Sequence, residues 1–348
     1  MSLRNAVKTG NIKECHQMIE EGADVNETSE IYKEGGPLHI AVIYQNFDIC
    51  ELLIKNGANV NLRNKDHKTP LHFAISNPSL DINVSQLLLR HKADVNSECR
   101  FGHTPLVDLI HTRNDHPPFR FNSSENAFKP GWIMKDKLST KQSSERLSLL
   151  FEHHANLNAH CSKRGWAPLH YAVCLNDYDM CLKLIEQGAH VEIQTNKPDP
   201  SWTWNTKTDG VNNITPLQFA ASKGYIEICQ LLIQNGAKVH TEDNHGYNAL
   251  FYAVCGDCTH QPGMRRNDFV NDKLMYSRNA NNNYIKSKKV TNQYTQVCKL
   301  LIENGCSTRS GASLASNWFN HFYHTPSDLK QIFNPGLRLL SKINQFLK

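Results

Sequence analysis

No stretch of this 348-residue chain is apolar over the roughly 18 to 20 residues that a membrane-crossing helix needs. Met1-Ser2-Leu3-Arg4-Asn5 leads into a polar, amphipathic segment and not into the apolar run of a secretion signal. Neither a membrane-spanning nor a secreted protein is expected. Nucleotide and hydrolase signatures are missing as well: there is no Gly-x-x-x-x-Gly-Lys-Ser/Thr, no Gly-x-Gly-x-x-Gly, no His-Glu-x-x-His and no Gly-x-Ser-x-Gly. No nucleophile, base and orienting group stand out as a set, so no catalytic residues, no cofactor and no enzymatic activity are expected. A pronounced charge of one sign is lacking too. Lys and Arg number 38 against 33 Asp and Glu, a formal net charge of +5, which describes a mildly basic, soluble protein.

What the chain does contain is repetition. Gly36-Pro37-Leu38-His39, Thr69-Pro70-Leu71-His72, Thr104-Pro105-Leu106, Ala167-Pro168-Leu169-His170 and Thr215-Pro216-Leu217-Gln218 each open an apolar segment, with a worn copy at Asn248-Ala249-Leu250. Thr at an N-cap offers its hydroxyl oxygen to the free amides of a first helical turn. Pro at the next position loses no hydrogen bond, because that N–H would have been unpaired. Each motif therefore predicts a helix start. About 13 residues on, a second apolar pattern at helical spacing appears, as in Ile49 to Ile54 and Ile228 to Ile233. Gly57, Gly188, Gly236 and Gly305 follow where a left-handed residue closes a helix. Successive Pro positions lie 33 residues apart from 37 to 70, 35 from 70 to 105, and 33 from 216 to 249.

A period near 33 with Thr-Pro-Leu-His, two helices and Gly-Ala-x-Val-Asn resembles the ankyrin repeat family over most of the chain. The resemblance implies an all-α fold, an ankyrin-repeat solenoid of stacked helix pairs joined by β-hairpin fingers. Residues 1–311 would form the array, with units starting near 2, 35, 67, 102, 165, 213 and 246. The first unit lacks Thr-Pro but keeps Glu21-Gly22-Ala23-Asp24-Val25-Asn26, as an N-terminal cap would. Lys92 and His154 replace the closing Gly in the third and fourth units. A left-handed conformation there would cost on the order of 1 kcal/mol each and mark those units as softer. In this family the His39, His72 and His170 position hydrogen-bonds the neighbouring hairpin backbone, so these imidazoles are read as structural.

Eleven cysteines is an odd number in a chain too large to need disulfide staples. Cys15, Cys50, Cys181, Cys229 and Cys298 all precede a closing position by seven residues. Cys174 and Cys255 share a first-helix position, Cys99 and Cys161 share a hairpin position, and Cys306 follows Gly305. They are read as small buried hydrophobes in a reducing compartment, cytoplasmic with the nucleus as alternative. Cys255, Cys258 and His260 have a C-x-x-C-x-H spacing but supply at most three ligands where a structural zinc site takes four. No metal is expected, and those three are the residues that would carry one.

The insertions are the individual features. In compact units 20 residues separate the Pro position from the closing residue, but the fourth unit has 49 and the seventh 56. Segments 113–141 and 257–292 thus enter between first and second helices, and 195–211 lengthens a finger. Segment 113–141 carries a net +3 and segment 257–292 a net +4, so the remainder is slightly acidic at −2. Arg265, Arg266, Lys286, Lys288 and Lys289, with Trp132 among the aromatics, form the candidate contact set, and Trp202 and Trp204 are candidate anchors on the lengthened finger. Residues 312–348 hold two short helical patterns that read as a degenerate capping unit. The competing reading is a SOCS-box-like tail at Leu337-Arg338-Leu339-Leu340-Ser341, which would recruit elongin and cullin, although no Leu-Pro-x-Pro follows.

These features predict a monomeric scaffold that recognises a protein partner, acidic by preference, through its concave face and inserted loops. The alternatives are a ubiquitin-ligase substrate receptor, a host-directed effector and, least favoured, nucleic-acid binding by the basic insertions, since no nucleic-acid-binding motif accompanies them. No membrane partner is expected.

Overall fold

Pro at a first helical position and a left-handed residue at a close recur along the chain, and the helices fall between those marks. The computed structural model describes residues 2–28, 35–77, 80–112, 140–197, 212–244, 246–255, 277–278, 284–285 and 288–306. Two units, Met1–Leu175 and Asn176–Lys348, are each compact in themselves.

The N-terminal unit holds α1 (Leu3–Thr9), α2 (Ile12–Glu20), α3 (Pro37–Ile43), α4 (Phe47–Lys55), α5 (Pro70–Ser76), α6 (Ile82–Arg90), α7 (Pro105–Thr112), α8 (Thr140–Glu152) and α9 (Pro168–Cys174). The odd-numbered first helices pack in sequence, α1 on α3, α3 on α5, α5 on α7 and α7 on α9, while α2, α4, α6 and α8 form a second row. Each helix is too short to stand alone in water, so burial between neighbours holds it. The C-terminal unit holds α10 (Tyr178–Glu186), α11 (Pro216–Lys223), α12 (Ile226–Gln234), α13 (Ala249–Cys255) and α14 (Lys288–Glu303). There α11 packs on α13, and α10, α12 and α14 follow one another. One two-residue antiparallel ladder, β1 (Ser277–Arg278) with β2 (Tyr284–Ile285), is the only strand pairing among the described residues. The fold class is the all-α repeat class expected.

The closes behave as their residue types predict. Gly57, Gly188, Gly236 and Gly305 have φ of 85°, 93°, 93° and 85°, and Lys92 and His154 adopt the same left-handed region at 64° and 60°. The helix starts differ in one detail. Thr215 accepts from the Gln218 N–H at 3.3 Å and Thr104 from Val107 at 3.4 Å, but the Thr69 hydroxyl turns instead to Nδ1 of His72 at 2.9 Å.

Side chains at the Val-Asn position tie each loop to the next. Asn26 donates to Gly57 O at 3.1 Å and accepts from Asn59 N at 2.7 Å; Asn61 does the same with Lys92 O and Asp94 N. In the C-terminal unit Glu192 stands in this place and accepts from Lys238 N and the Thr241 hydroxyl. Cys15, Cys50, Cys181, Cys229 and Cys298 are fully buried, and Cys99, Cys161 and Cys306 nearly so. Cys174, expected in the core, is only half-buried at the end of α9. Burial pushes the Cys50 and Cys298 thiols up to about 12 and the Cys99 thiol to about 11, so these are inert packing groups.

Candidate interaction surface

The connections expected as β-hairpin fingers are tight turns, each closed by a pair of backbone bonds. In the N-terminal unit Asn64 donates to Lys68 O at 3.0 Å, Cys99 to His103 O at 2.9 Å and Cys161 to Trp166 O at 2.8 Å. Neighbouring fingers touch: Arg100 N donates to Asp66 O at 2.7 Å, and the Cys161 thiol to Phe101 O at 3.3 Å. In the C-terminal unit Thr195 pairs with Asn213 and Ile214, so it belongs to the stem of the lengthened finger, and Asn212 meets Asn244 of the next finger.

The first helices carry the fingers through one position. His39 Nδ1 accepts the Gly36 N–H at 3.2 Å while its Nε2 donates to Lys68 O at 3.0 Å; His72 Nδ1 accepts from Thr69 N and its Nε2 donates to His103 O at 3.1 Å. A ring that accepts at one nitrogen and donates to a carbonyl at the other is a neutral imidazole. Burial holds the His39 pKa down at about 4 and lowers that of His72. Gln218 reproduces both contacts, accepting from Thr215 N at 2.7 Å and donating to Thr241 O and Tyr247 O.

The fourth unit breaks this pattern, with Val107 in the histidine position and Asp108 beside it. Asp108 occupies a place filled by Ile40, Phe73, Tyr171 and Phe219 in other units. Its Oδ2 lies 2.7 Å from Lys68 Nζ and its Oδ1 3.5 Å from His103 Nδ1. Burial works to raise the Asp108 pKa, but Lys68 and then His103 outweigh it and hold the carboxyl well below the usual range. Burial also opposes the Lys68 charge, and Asp108 overcomes it and raises the ammonium pKa. His103 stacks on His111 with centroids 4.9 Å apart, and Tyr171 stands edge-on to both. Burial and then the His103 charge push His111 down to about 3.

The buried Arg146 was not anticipated from sequence. Arg146 of α8 donates to Ile75 O at 3.0 Å, Asn77 O at 2.7 Å and Leu80 O at 2.5 Å. These carbonyls end α5 and enter the next turn, where the helix dipole favours a cation. Burial lowers the guanidinium to about 10, which leaves it charged. Two signals pointed to these groups: Asp108 in an apolar column, and Arg146 eight residues before a close, where Ile49, Val84, Met180 and Ile228 stand elsewhere.

Trp132, Trp202, Trp204, Arg265, Arg266, Lys286, Cys258 and His260 lie outside the described residues, as do residues 312–348. Cys255 is the last residue of α13, and Lys288 and Lys289 are the first two of α14. Helices α8 and α14 reach back into the segments expected as insertions, with 13 and 16 residues against nine in α4, α6, α10 and α12. Among the described residues no three His, Cys, Asp or Glu side chains converge as a metal site, and no helix is long and apolar enough to cross a membrane. The arrangement presents exposed fingers above first helices whose titratable groups are occupied in holding them.

Comparison with known proteins agrees with this architecture. A model of ankyrin repeats matches residues 3–99, 38–116 and 198–261, and a single-repeat ankyrin model matches 164–196, together more than half of the chain. The ankyrin repeat and SOCS box protein 6 of Homo sapiens is 28% identical over 150 residues, which are 43% of this chain and 30% of that protein. An ankyrin repeat protein of fowlpox virus (strain NVSL) is 24% identical over 153 residues, 44% of this chain and 30% of that one. Each match thus spans less than a third of the relative's length. The crystal structure of the ankyrin repeat domain of Bcl-3 superposes with a TM-score of 0.55 at 21% identity, covering 72% of this chain and 93% of that domain.

Proposed function

The chain belongs to the ankyrin repeat family, and from that premise we propose that it is a recognition scaffold for a protein partner, acidic by preference. The observation that carries this reading is the row of exposed fingers bonded to one another above first helices whose buried polar groups are spent on holding them. A surface held in place without ligand loses little freedom on docking, which favours affinity. The ankyrin fold is typically a non-enzymatic interaction domain, and the buried, raised-pKa thiols described above fit that character. Arg265, Arg266, Lys286, Lys288 and Lys289 would speed the encounter, while Trp132, Trp202 and Trp204 would slow dissociation. Affinity capture of the full chain from nuclease-treated lysate, read by mass spectrometry, should enrich a defined protein. Recovery only when nucleic acid is left intact would contradict the reading.

A second reading is favoured by the similarity to the ankyrin repeat and SOCS box protein 6. In it the tail recruits a ubiquitin ligase and the array selects the substrate. Elongin and cullin should then co-purify with the full chain and disappear when 312–348 is deleted. Their absence from the full-length sample would leave the passive scaffold.

A further inference from the structure

Gly22, Gly57, Gly188, Gly236 and Gly305 close their repeats at φ of 85° to 93°, and a side chain added at any of them would meet nothing within 4 Å. In the third and fourth repeats that same open position carries Lys92 and His154, at φ of 64° and 60°. A left-handed backbone costs stability in any residue but glycine, so two neighbouring repeats keep a side chain in open space at a cost the others avoid. One chemistry goes with that cost. Arg90-His91-Lys92 completes α6, and Glu152-His153-His154 completes α8. Arg90, His91, Lys92 and His154 are exposed and His153 is half-buried.

Asn61 Nδ2 donates to Lys92 O at 3.2 Å, Asn96 Nδ2 donates to His154 O at 3.5 Å, and Asn96 Oδ1 accepts from Asn156 N at 2.8 Å. The two closes therefore stand one packed layer apart, at about 8 to 10 Å. None of the five basic side chains takes part in a hydrogen bond, ion pair or ring contact among the described residues. Acids of the packed neighbours have other partners: Glu51 holds Lys55 at 3.1 Å, Glu145 faces Lys141 at 4.0 Å, and Asp94 accepts from Asn96 N and the Ser97 hydroxyl. Glu98 is half-buried on its finger and Glu152 is exposed; the adjoining loops add the exposed Arg63 and the half-buried His160. With the imidazoles neutral, Arg90 and Lys92 face Asp94 and Glu152 in equal number. Protonation of His91, His153 and His154 adds three positive charges to that balance.

We propose that Arg90, His91, Lys92, His153 and His154 form a second contact surface, distinct from the finger tips, that holds a carboxylate-rich protein segment and holds it more tightly as the imidazoles take up protons. The proposal goes beyond the scaffold reading and does not depend on which protein docks on the fingers. A bilayer contact would use apolar side chains, yet the exposed large ones among the described residues, Ile12, Tyr44, Phe47, Phe101 and Tyr178, stand at helix turns or on a finger and none at a close. A nucleic-acid strand carries a phosphate about every 3.4 Å, and two permanent cations in one repeat would answer few of them. Peptide carboxylates stay ionised where imidazole titrates, so only this chain's side of the contact changes with pH.

The test is fluorescence anisotropy of the full chain with a labelled peptide of about ten residues alternating Glu and Gly, at about pH 7.5 and about pH 6.0 in low salt. Vesicles containing phosphatidylserine, and a single-stranded oligonucleotide of equal charge, compete with the peptide in the same assay. From the higher pH to the lower the peptide binds at least about fivefold more tightly. Lys92→Gly/His154→Gly, which removes both strained side chains, melts no lower than wild type yet binds the peptide about fivefold more weakly at the lower pH. His91→Gln/His153→Gln/His154→Gln keeps the permanent cations and loses the pH dependence. A melting temperature below wild type for the glycine pair would assign those side chains to the fold and overturn the surface. No binding at the lower pH, equal affinity at both, wild-type binding by the glycine pair, or a pH dependence that survives the glutamine variant overturns it too. So does displacement of the peptide by vesicles or oligonucleotide at lower concentration than by unlabelled peptide. Failure of the finger reading shows separately, as the absence of any captured protein.

Discussion

At the third residue of the first helix the N-terminal unit places imidazoles, His39 and His72, and the C-terminal unit places the amide of Gln218. Both kinds of side chain accept the N–H of the residue just before the helix's first Pro and donate to a carbonyl of the next finger. The repeat asks for an acceptor and a donor a fixed distance apart, not for histidine as such. The difference lies in what else the group does: the imidazoles titrate and the amide does not. The same contrast runs through the buried charges, since Arg4, Arg146 and Asp108, the last paired with the half-buried Lys68, all lie in the N-terminal unit. On the first helices that unit is fastened with ionisable imidazoles where Gln218 is neutral, whereas at the Val-Asn position the order reverses, Asn26 and Asn61 against Glu192, and the buried Asp243 accepts from the Tyr252 hydroxyl.

The largest effect is expected from moving the buried cation across that divide. Ile228 occupies in α12 the position of Arg146 in α8, eight residues before the close, and is fully buried. Ile228→Arg strands a guanidinium among apolar neighbours and should cost about 4 kcal/mol or more in urea unfolding. Arg146→Met leaves the carbonyls of Ile75, Asn77 and Leu80 without their donor, and should cost about 3 kcal/mol. Opposite outcomes from one cation at one repeat position would sharpen the comparison; equal tolerance of both changes would break it.

Acid separates the units next. His39 is neutral in the fold down to about pH 4, whereas the unfolded chain binds that proton near pH 6.5. Its contribution is therefore complete above pH 6.5 and is lost as the pH falls towards 4. His39→Gln, which installs the solution found at Gln218, should melt like wild type at pH 7. Between pH 7 and 5 it should lose about 1 to 2 kcal/mol less stability. The smallest effect concerns a close. Lys92 is held at φ 64°, and Lys92→Gly should gain up to about 1 kcal/mol by relieving a conformation glycine adopts freely, visible as a small rise in melting temperature.

Most of the fold was legible because its marks are local. Pro opens α3, α5, α7, α9 and α11, and the left-handed closes fall on the residues the spacing selected. The buried thiols followed from one offset counted back from those closes. The ionic fastenings were less legible because their partners are distant and partly featureless. Arg146 binds carbonyls 66 to 71 residues away, and carbonyls leave no trace in a sequence. Asp108 is an acid in an otherwise apolar column, but nothing in its sequence neighbourhood points to Lys68, 40 residues earlier.

Recognition on the finger side is the claim on which the account turns. Hydrogen exchange of the full chain, alone and saturated with its captured partner, measures it directly. The expected footprint is slowed exchange in the fingers at 61–68, 97–103 and 159–166, with little change in the second helices α2, α4 and α6. Protection centred on those second helices, with the fingers still exchanging freely, would contradict it.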